Sequence, residues 1–181
     1  MTITYEDRLA RLDSMIAGGL LSRKGWGGMR DGRETACLLG ALSPEAGASH
    51  AAGACPADVM PEWLAGLTPW INDFGSVRAW PAMTGRYAAL AHRWPVLTPE
   101  DWERSRALCV GIVRLATTGK TIKQVGCHLS EGWPGKALQC VTEEFRERGV
   151  APSAAQRVAD GITTSLLDAL ELVIAERETT P

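Results

Sequence analysis

The chain has 181 residues, of which 45% are apolar and 22% charged, with a formal net charge of −2. That balance suits a globular protein able to bury a core and excludes a disordered chain or a fibrous repeat. No apolar run approaches the ~18–20 residues of a membrane span. The acidic start, Met1 to Asp7, has no basic region followed by a hydrophobic one, so it does not read as a signal peptide. Five cysteines (37, 55, 109, 127 and 140) form an odd, widely spaced set. Such a set suits reduced thiols better than a disulfide framework. Cytoplasmic localisation without membrane contact is the expectation.

Charge is unevenly distributed. Residues 1–75 carry six basic against nine acidic side chains, residues 76–136 nine against four, and residues 137–181 four against eight. A basic middle between acidic ends can serve as a nucleic-acid face. It can equally attract the acidic parts of the same chain, and the absence of any Lys/Arg run longer than two favours that internal role.

In chain order, Tyr5, Leu9, Leu12, Ile16 and Leu20 fall at helical spacing. They predict a helix over 4–20, with Thr4 and Asp7 forming a capping box. The segment Gly25–Glu34 is loop-like, and its Asp31-Gly32 pair predicts a small β-hairpin near Arg30. Thr35 is expected to cap a short helix over 36–42, stopped by Ser43-Pro44. Residues 45–55, rich in Ala and Gly, read as an irregular connection.

Residues 60–80 hold three of the seven tryptophans together with Pro61, Pro69 and the pair Asn72-Asp73. Each large ring buries about 150–250 Å², so the stretch belongs to the interior. Its turn-forming residues predict a rigid corner rather than one regular element. A helix follows over 76–94 and stops at Pro95. Thr98-Pro99-Glu100-Asp101 then starts a helix running to about residue 117. Further helices are predicted over 121–129, from Pro134 to Gly149, and from Pro152 almost to the end. The expected fold is mainly α: a compact multi-helix bundle with an irregular Trp/Pro-rich N-terminal half and one small hairpin. The whole chain, 1–181, reads as a single domain, with 1–95 and 96–181 as subdomains on either side of Pro95–Thr98.

Four motifs occur in order in the first half: Gly25-Trp26, Asp31-Gly32, Cys37-Leu38-Leu39-Gly40-Ala41-Leu42, and Trp70-Ile71-Asn72-Asp73. In this, residues 5–95 resemble a group of small uncharacterised bacterial domains, mostly actinobacterial. That group shares a Cys-x-x-Gly-Ala-Leu helix and a Trp-Asn-Asp motif, here interrupted by Ile71. The resemblance implies shared architecture and carries no activity.

Three kinds of chemistry can be weighed. A thiol in the first turn of a helix feels the positive dipole end. Cys37 is therefore a candidate nucleophile, with His50 or His92 as base and Asn72 or Asp73 orienting the imidazole. Against this, Cys37 sits in an apolar run, and cysteine is among the most buried residue types. Asn72 and Asp73 can instead bond nearby backbone amides. No metal is expected: Cys-x-x-Cys is absent, His50 and Cys55 make only half a site, and Cys127 and His128 diverge on a helix. No cofactor is expected either, because Gly119-Lys120-Thr121 lacks the glycine loop of a phosphate cradle.

Residues 120–149 read helix, turn, helix, with Lys120, Lys123 and Lys136 as candidate phosphate contacts. The turn is long, however, and Glu143, Glu144 and Glu147 oppose phosphate binding. What remains is a non-catalytic accessory or adaptor protein acting on an unidentified protein partner. Trp94, Trp102 and Trp133 are its candidate contact residues. Leu167, Leu172 and Ile174, flanking the stripe of the last helix, offer a face for a homodimer.

Overall fold

The computed structural model describes residues 3–116 and 134–179. The fold is mainly α, with one two-stranded antiparallel hairpin. Helix α1 spans Tyr5–Ala17 behind the predicted capping box: Thr4 Oγ1 accepts from Asp7 N–H at 3.2 Å, and the Asp7 carboxylate accepts from Thr4 N–H at 3.1 Å. Strands β1 (Gly27–Arg30) and β2 (Arg33–Ala36) follow. Their turn residues Asp31 and Gly32 have φ of 53° and 73°, as a two-residue type I′ turn requires. At Gly27, with φ of 135°, an added Cβ would lie 2.2 Å from Thr35 O, so only glycine fits where the hairpin starts.

Short helices α2 (Leu38–Leu42) and α3 (Pro44–Ser49) come next. The cap of α2 is Cys37 rather than Thr35, which lies in β2. The stretch predicted to be an irregular connection is largely ordered. Ser43 Oγ accepts from Ala46 N–H at 3.3 Å to cap α3, with Pro44 at its first turn, and a 3₁₀ turn follows at Ala52–Ala54.

The largest departure from expectation is at residues 60–80. In place of a corner, Glu62–Phe74 is a single helix, α4, with Pro69 in its interior. An interior proline costs about 3 kcal/mol through its lost hydrogen bond and ring clash. The stripe Trp63, Leu64, Leu67 and Ile71 is buried in return. At about 1.5–3 kcal/mol for each large apolar side chain, that burial outweighs the proline. Thr68 Oγ1 donates to Leu64 O at 2.8 Å, so at the 2.7 Å contact with Tyr87 the phenol O–H is the donor.

Helix α5 (Trp80–Ala91) is shorter than the expected 76–94: it ends at Ala91, ahead of Pro95, which lies within a 3₁₀ turn at Trp94–Val96. Helix α6 (Pro99–Leu115) starts where Thr98-Pro99-Glu100-Asp101 predicts, and Thr98 and Asp101 form a capping box there. Helices α7 (Pro134–Glu147) and α8 (Pro152–Thr179) complete the described fold, with Gly149 at φ 62° between them. The predicted helix over 121–129 lies outside the described residues.

Helix α8 packs on α6, α5 and α4, while α4 also packs on α2 and α7. One hydrophobic cluster runs from Leu9 and Leu12 through Leu38, Leu64 and Tyr87 to Leu166, Leu170 and Ile174. Both halves of the chain therefore contribute to the same core. Three arginines of the basic middle segment pair with acids of the last helix: Arg86 with Asp168 and Glu171, Arg93 with Glu178, and Arg104 with Glu176. No helix among the described residues is long and apolar enough to cross a membrane.

Candidate functional site

Cys37 occupies the N-cap of α2 because the hairpin delivers extended backbone there, with φ −70° and ψ 171°. Its Sγ accepts from Gly40 N–H at 3.3 Å, and the residue is only 3% exposed. Burial pushes the thiol pKa up, against the smaller downward pull of the Gly40 amide. Desolvation thus prevails over the helix-end field that would have activated the sulfur.

The partners proposed for Cys37 are dispersed. His92 Nε2 lies 2.9 Å from Asp13 Oδ2 on the surface. His50 ends α3 in a left-handed conformation, with its ring stacked on Trp26 at 6.2 Å. Neither imidazole hydrogen-bonds to Cys37 Sγ. Asn72 and Asp73 lie in the last turn of α4, and they bond backbone remote in sequence. Asn72 Oδ1 accepts from Leu38 N–H at 3.4 Å, Asn72 Nδ2 donates to Ser22 O at 2.9 Å, and Asp73 Oδ1 accepts from Lys24 N–H at 2.7 Å. Arg23 closes the same junction by donating to the carbonyls of Asn72, Asp73 and Gly75. This constellation is a clamp between α4, the loop before the hairpin and the start of α2.

Trp94, expected on a contact surface, is instead core. It is 2% exposed and lies edge-on to Tyr87 at 5.4 Å and to Trp102 at 5.8 Å. Trp102 is half-buried and also meets Trp63 at 6.3 Å. Trp133, Lys120 and Lys123 lie outside the described residues, as does the side chain of Lys136. Leu167 and Ile174, assigned to a dimer face, are buried in the chain's own core, leaving Leu172 exposed. No group of three or more His, Cys, Asp or Glu side chains among the described residues is placed to hold a metal ion.

Two recesses stand out in their place. A groove of about 430 Å³ lies between the hairpin and α3, lined by Trp26, Met29, Glu34, Pro44, Ala48 and His50 among others. A second, of about 260 Å³, lies between the start of α5 and α8. Its wall is mainly apolar, from Ala79, Trp80, Met83 and Leu167, with Thr163 beside them. Thr163 Oγ1 and Trp80 Nε1 are both shielded from solvent without a hydrogen-bond partner, which costs about 1–3 kcal/mol for each such group. The acidic rim residue, Asp160, is already engaged, accepting from Ser76 N–H at 2.6 Å and Ser76 Oγ at 2.8 Å. Sequence reasoning missed this site. Its one signal was Thr163-Thr164, polar residues interrupting the apolar pattern of the last helix.

Neither a protein-family model, nor a curated protein, nor a solved structure matches the chain.

Proposed function

We propose that this chain is a non-catalytic accessory protein that acts by holding a partner protein, and that the hairpin supplies the contact. The observation that carries this reading is β1. All four of its residues are exposed, Met29 to 72%, and among the described residues no strand lies along its outer edge. Arg30 pairs with Arg33 next to the two-residue turn, and Met29 with Glu34 behind it. The pair flanking such a turn exchanges both ladder hydrogen bonds, so the next residue back, Met29, turns its N–H and C=O away from β2.

An extended partner segment can add to that edge, its side chains entering the groove lined by Trp26 and Met29. Sheet proteins usually blunt open edges with charge, proline or cover. Arg30 is turned aside here to donate to Gly19 O. Met29→Pro tests the reading, because it removes the outward N–H while keeping the ladder groups of Gly28 and Arg30. A discrete protein retained from the native host's lysate by the wild type and by Met29→Thr, and lost by Met29→Pro with unchanged circular dichroism, is the expected result. Equal retention by Met29→Pro, or no discrete partner for the wild type, would refute it.

A further inference from the structure

Building on the edge of β1 as the contact, we infer that the segment received there is acidic: apolar residues that enter the groove alternate with carboxylates that face Arg30 and Arg33. Side chains alternate between the two faces of a strand, and directly opposed residues share one face. Met29 and Glu34 are opposed and both line the groove. Arg30 and Arg33, the next opposed pair, therefore belong to the other face. Their guanidinium groups agree with this. Arg30 donates to Gly19 O, and Arg33 Nη2 lies 2.9 Å from where a Cβ on Gly18 would stand, so both lie over the same turn.

Charge on that face is uncompensated. Of the six basic residues in positions 1–75, four fall close together: Arg23, Lys24, Arg30 and Arg33. None of these four enters an ion pair among the described residues, whereas Arg8 and Arg11 are held by Glu45 and Glu34. Arg23 and Arg30 donate to backbone carbonyls, which leaves their charge intact. Like charges directly opposed destabilise a strand pair, and opposite charges stabilise it. A strand paired to β1 brings a side chain to about 4.5–5.5 Å from that of Arg30, Cβ to Cβ. A carboxylate there meets a cation that the chain itself leaves unanswered. On the groove face Glu34 is already matched by Arg11, and Trp26, Met29, Pro44 and Ala48 favour an apolar residue.

The probes are three blocked hexapeptides that alternate valine with glutamate, threonine or lysine. The readouts are the Met29 amide and the Trp26 indole ¹⁵N–¹H resonances of the full chain, identified by their loss in Met29→Pro and Trp26→Phe. The glutamate peptide is expected to shift both saturably. It should bind about threefold more tightly than the threonine peptide, with the lysine peptide weakest, as one or two cross-strand charge pairs would supply. A chain of net charge −2 repels an acidic peptide on average, so this order reports the hairpin itself. It should vanish near 1 M salt, where the screening length falls to ~3 Å, and in the double variant Arg30→Gln/Arg33→Gln. Arg33→Gln alone, which leaves the Arg30 bond to Gly19 in place, should cut the preference about twofold. Equal affinity for the three peptides, or an order that persists in the arginine variants, would overturn the acidic assignment. The edge would still stand in that case if Met29→Pro abolished the indole shift. Tighter binding of an oligothymidylate than of the glutamate peptide would give the arginine pair to phosphate and overturn the assignment as well. So would no saturable shift by any peptide up to about 10 mM, and lysate retention by the wild type but not by Met29→Pro would then show the edge itself intact.

Discussion

Removing the Asn72 carboxamide tests whether the first half of the fold is clamped by one buried side chain. Asn72 is 1% exposed and makes three hydrogen bonds, to Leu38 N–H, to Ser22 O and to Asp73 Oδ1. Asn72→Ala strands two backbone groups. The Leu38 amide lies in a fully buried residue, though its bond is long at 3.4 Å. The Ser22 carbonyl belongs to a half-exposed residue that water can reach. With about 1–3 kcal/mol for each buried group left unpaired, and the lower end for Ser22, the expected loss is about 2–3 kcal/mol. In a chain of this size that lowers Tm by very roughly 5–10 °C.

Asn72→Asp separates hydrogen bonding from packing. The new carboxylate cannot donate to Ser22 O, and it faces Asp73 Oδ1 at the position where the amide nitrogen lies 2.6 Å away. Burial and the neighbouring acid raise the folded-state pKa of the new group above its unfolded value of about 3.9. The associated penalty is therefore absent below about pH 4, where the protonated acid can donate, and grows as pH rises toward the folded pKa. Urea unfolding should show Asn72→Asp less stable than Asn72→Ala at pH 7, with the gap closing toward pH 4. A cost for Asn72→Ala below about 1 kcal/mol, the usual net worth of one hydrogen bond, would refute the clamp. So would two variants that track each other at every pH.

The buried Arg8 holds Glu45 by two bonds of 2.7 and 2.8 Å, which lower the Glu45 carboxyl pKa from 4.5 to about 2. A depressed folded pKa contributes stability above about pH 4.5 that is lost as pH falls toward 2. Because the Glu45 side chain is 39% exposed, solvent screens the pair, and Glu45→Gln should cost only about 1–2 kcal/mol at pH 7. It should also flatten the acid limb of stability against pH, and an unchanged limb would contradict the pairing. For the thiols, in a Cys127→Ser background, the half-buried Cys55 and Cys140 should react with iodoacetamide before Cys37 and Cys109. Burial raises the pKa of all four thiols, that of Cys109 to about 12, so the greater exposure of Cys55 and Cys140 sets the order. Fastest labelling at Cys37 would overturn its role as a cap.

Signals confined to a few residues were legible in the sequence. Thr4 with Asp7, Thr98 with Asp101, and Asp31-Gly32 each specify their structure within four residues, and each forms as expected. Residues 60–80 misled because local chemistry was weighed without the core. Pro69 and Asn72-Asp73 argue for a break, but the buried stripe from Trp63 to Ile71 keeps the helix continuous. Cys37 was recognised at a helix start, yet its 3% exposure depends on packing that no local pattern encodes. Asn72 is expected to bond a nearby amide, and it does bond one, but that of Leu38, which the fold brings to it from 34 residues away. The groove residues escaped for the same reason, since Ser76, Trp80 and Thr163 meet only once α5 and α8 have packed.

The uneven charge of the chain now acquires a structural meaning. Arg86, Arg93 and Arg104 of the basic middle face Asp168, Glu171, Glu176 and Glu178 of α8. Exposed pairs of this kind contribute about 0–1 kcal/mol each, so they do not hold α8 in place. Burial of Leu166, Leu170, Val173 and Ile174 does that. The ion pairs instead favour one position along the helix, since sliding α8 by one turn, about 5.4 Å, would leave Arg86 beside only one of its two acids. The same guanidinium lines the groove between α5 and α8, and Asp160, two turns before Asp168, caps the chain entering α5 through Ser76. Register and recess are thereby coupled. The contacts that align α8 with α5 also bring Thr163 and Leu167 into the wall of the groove with Trp80.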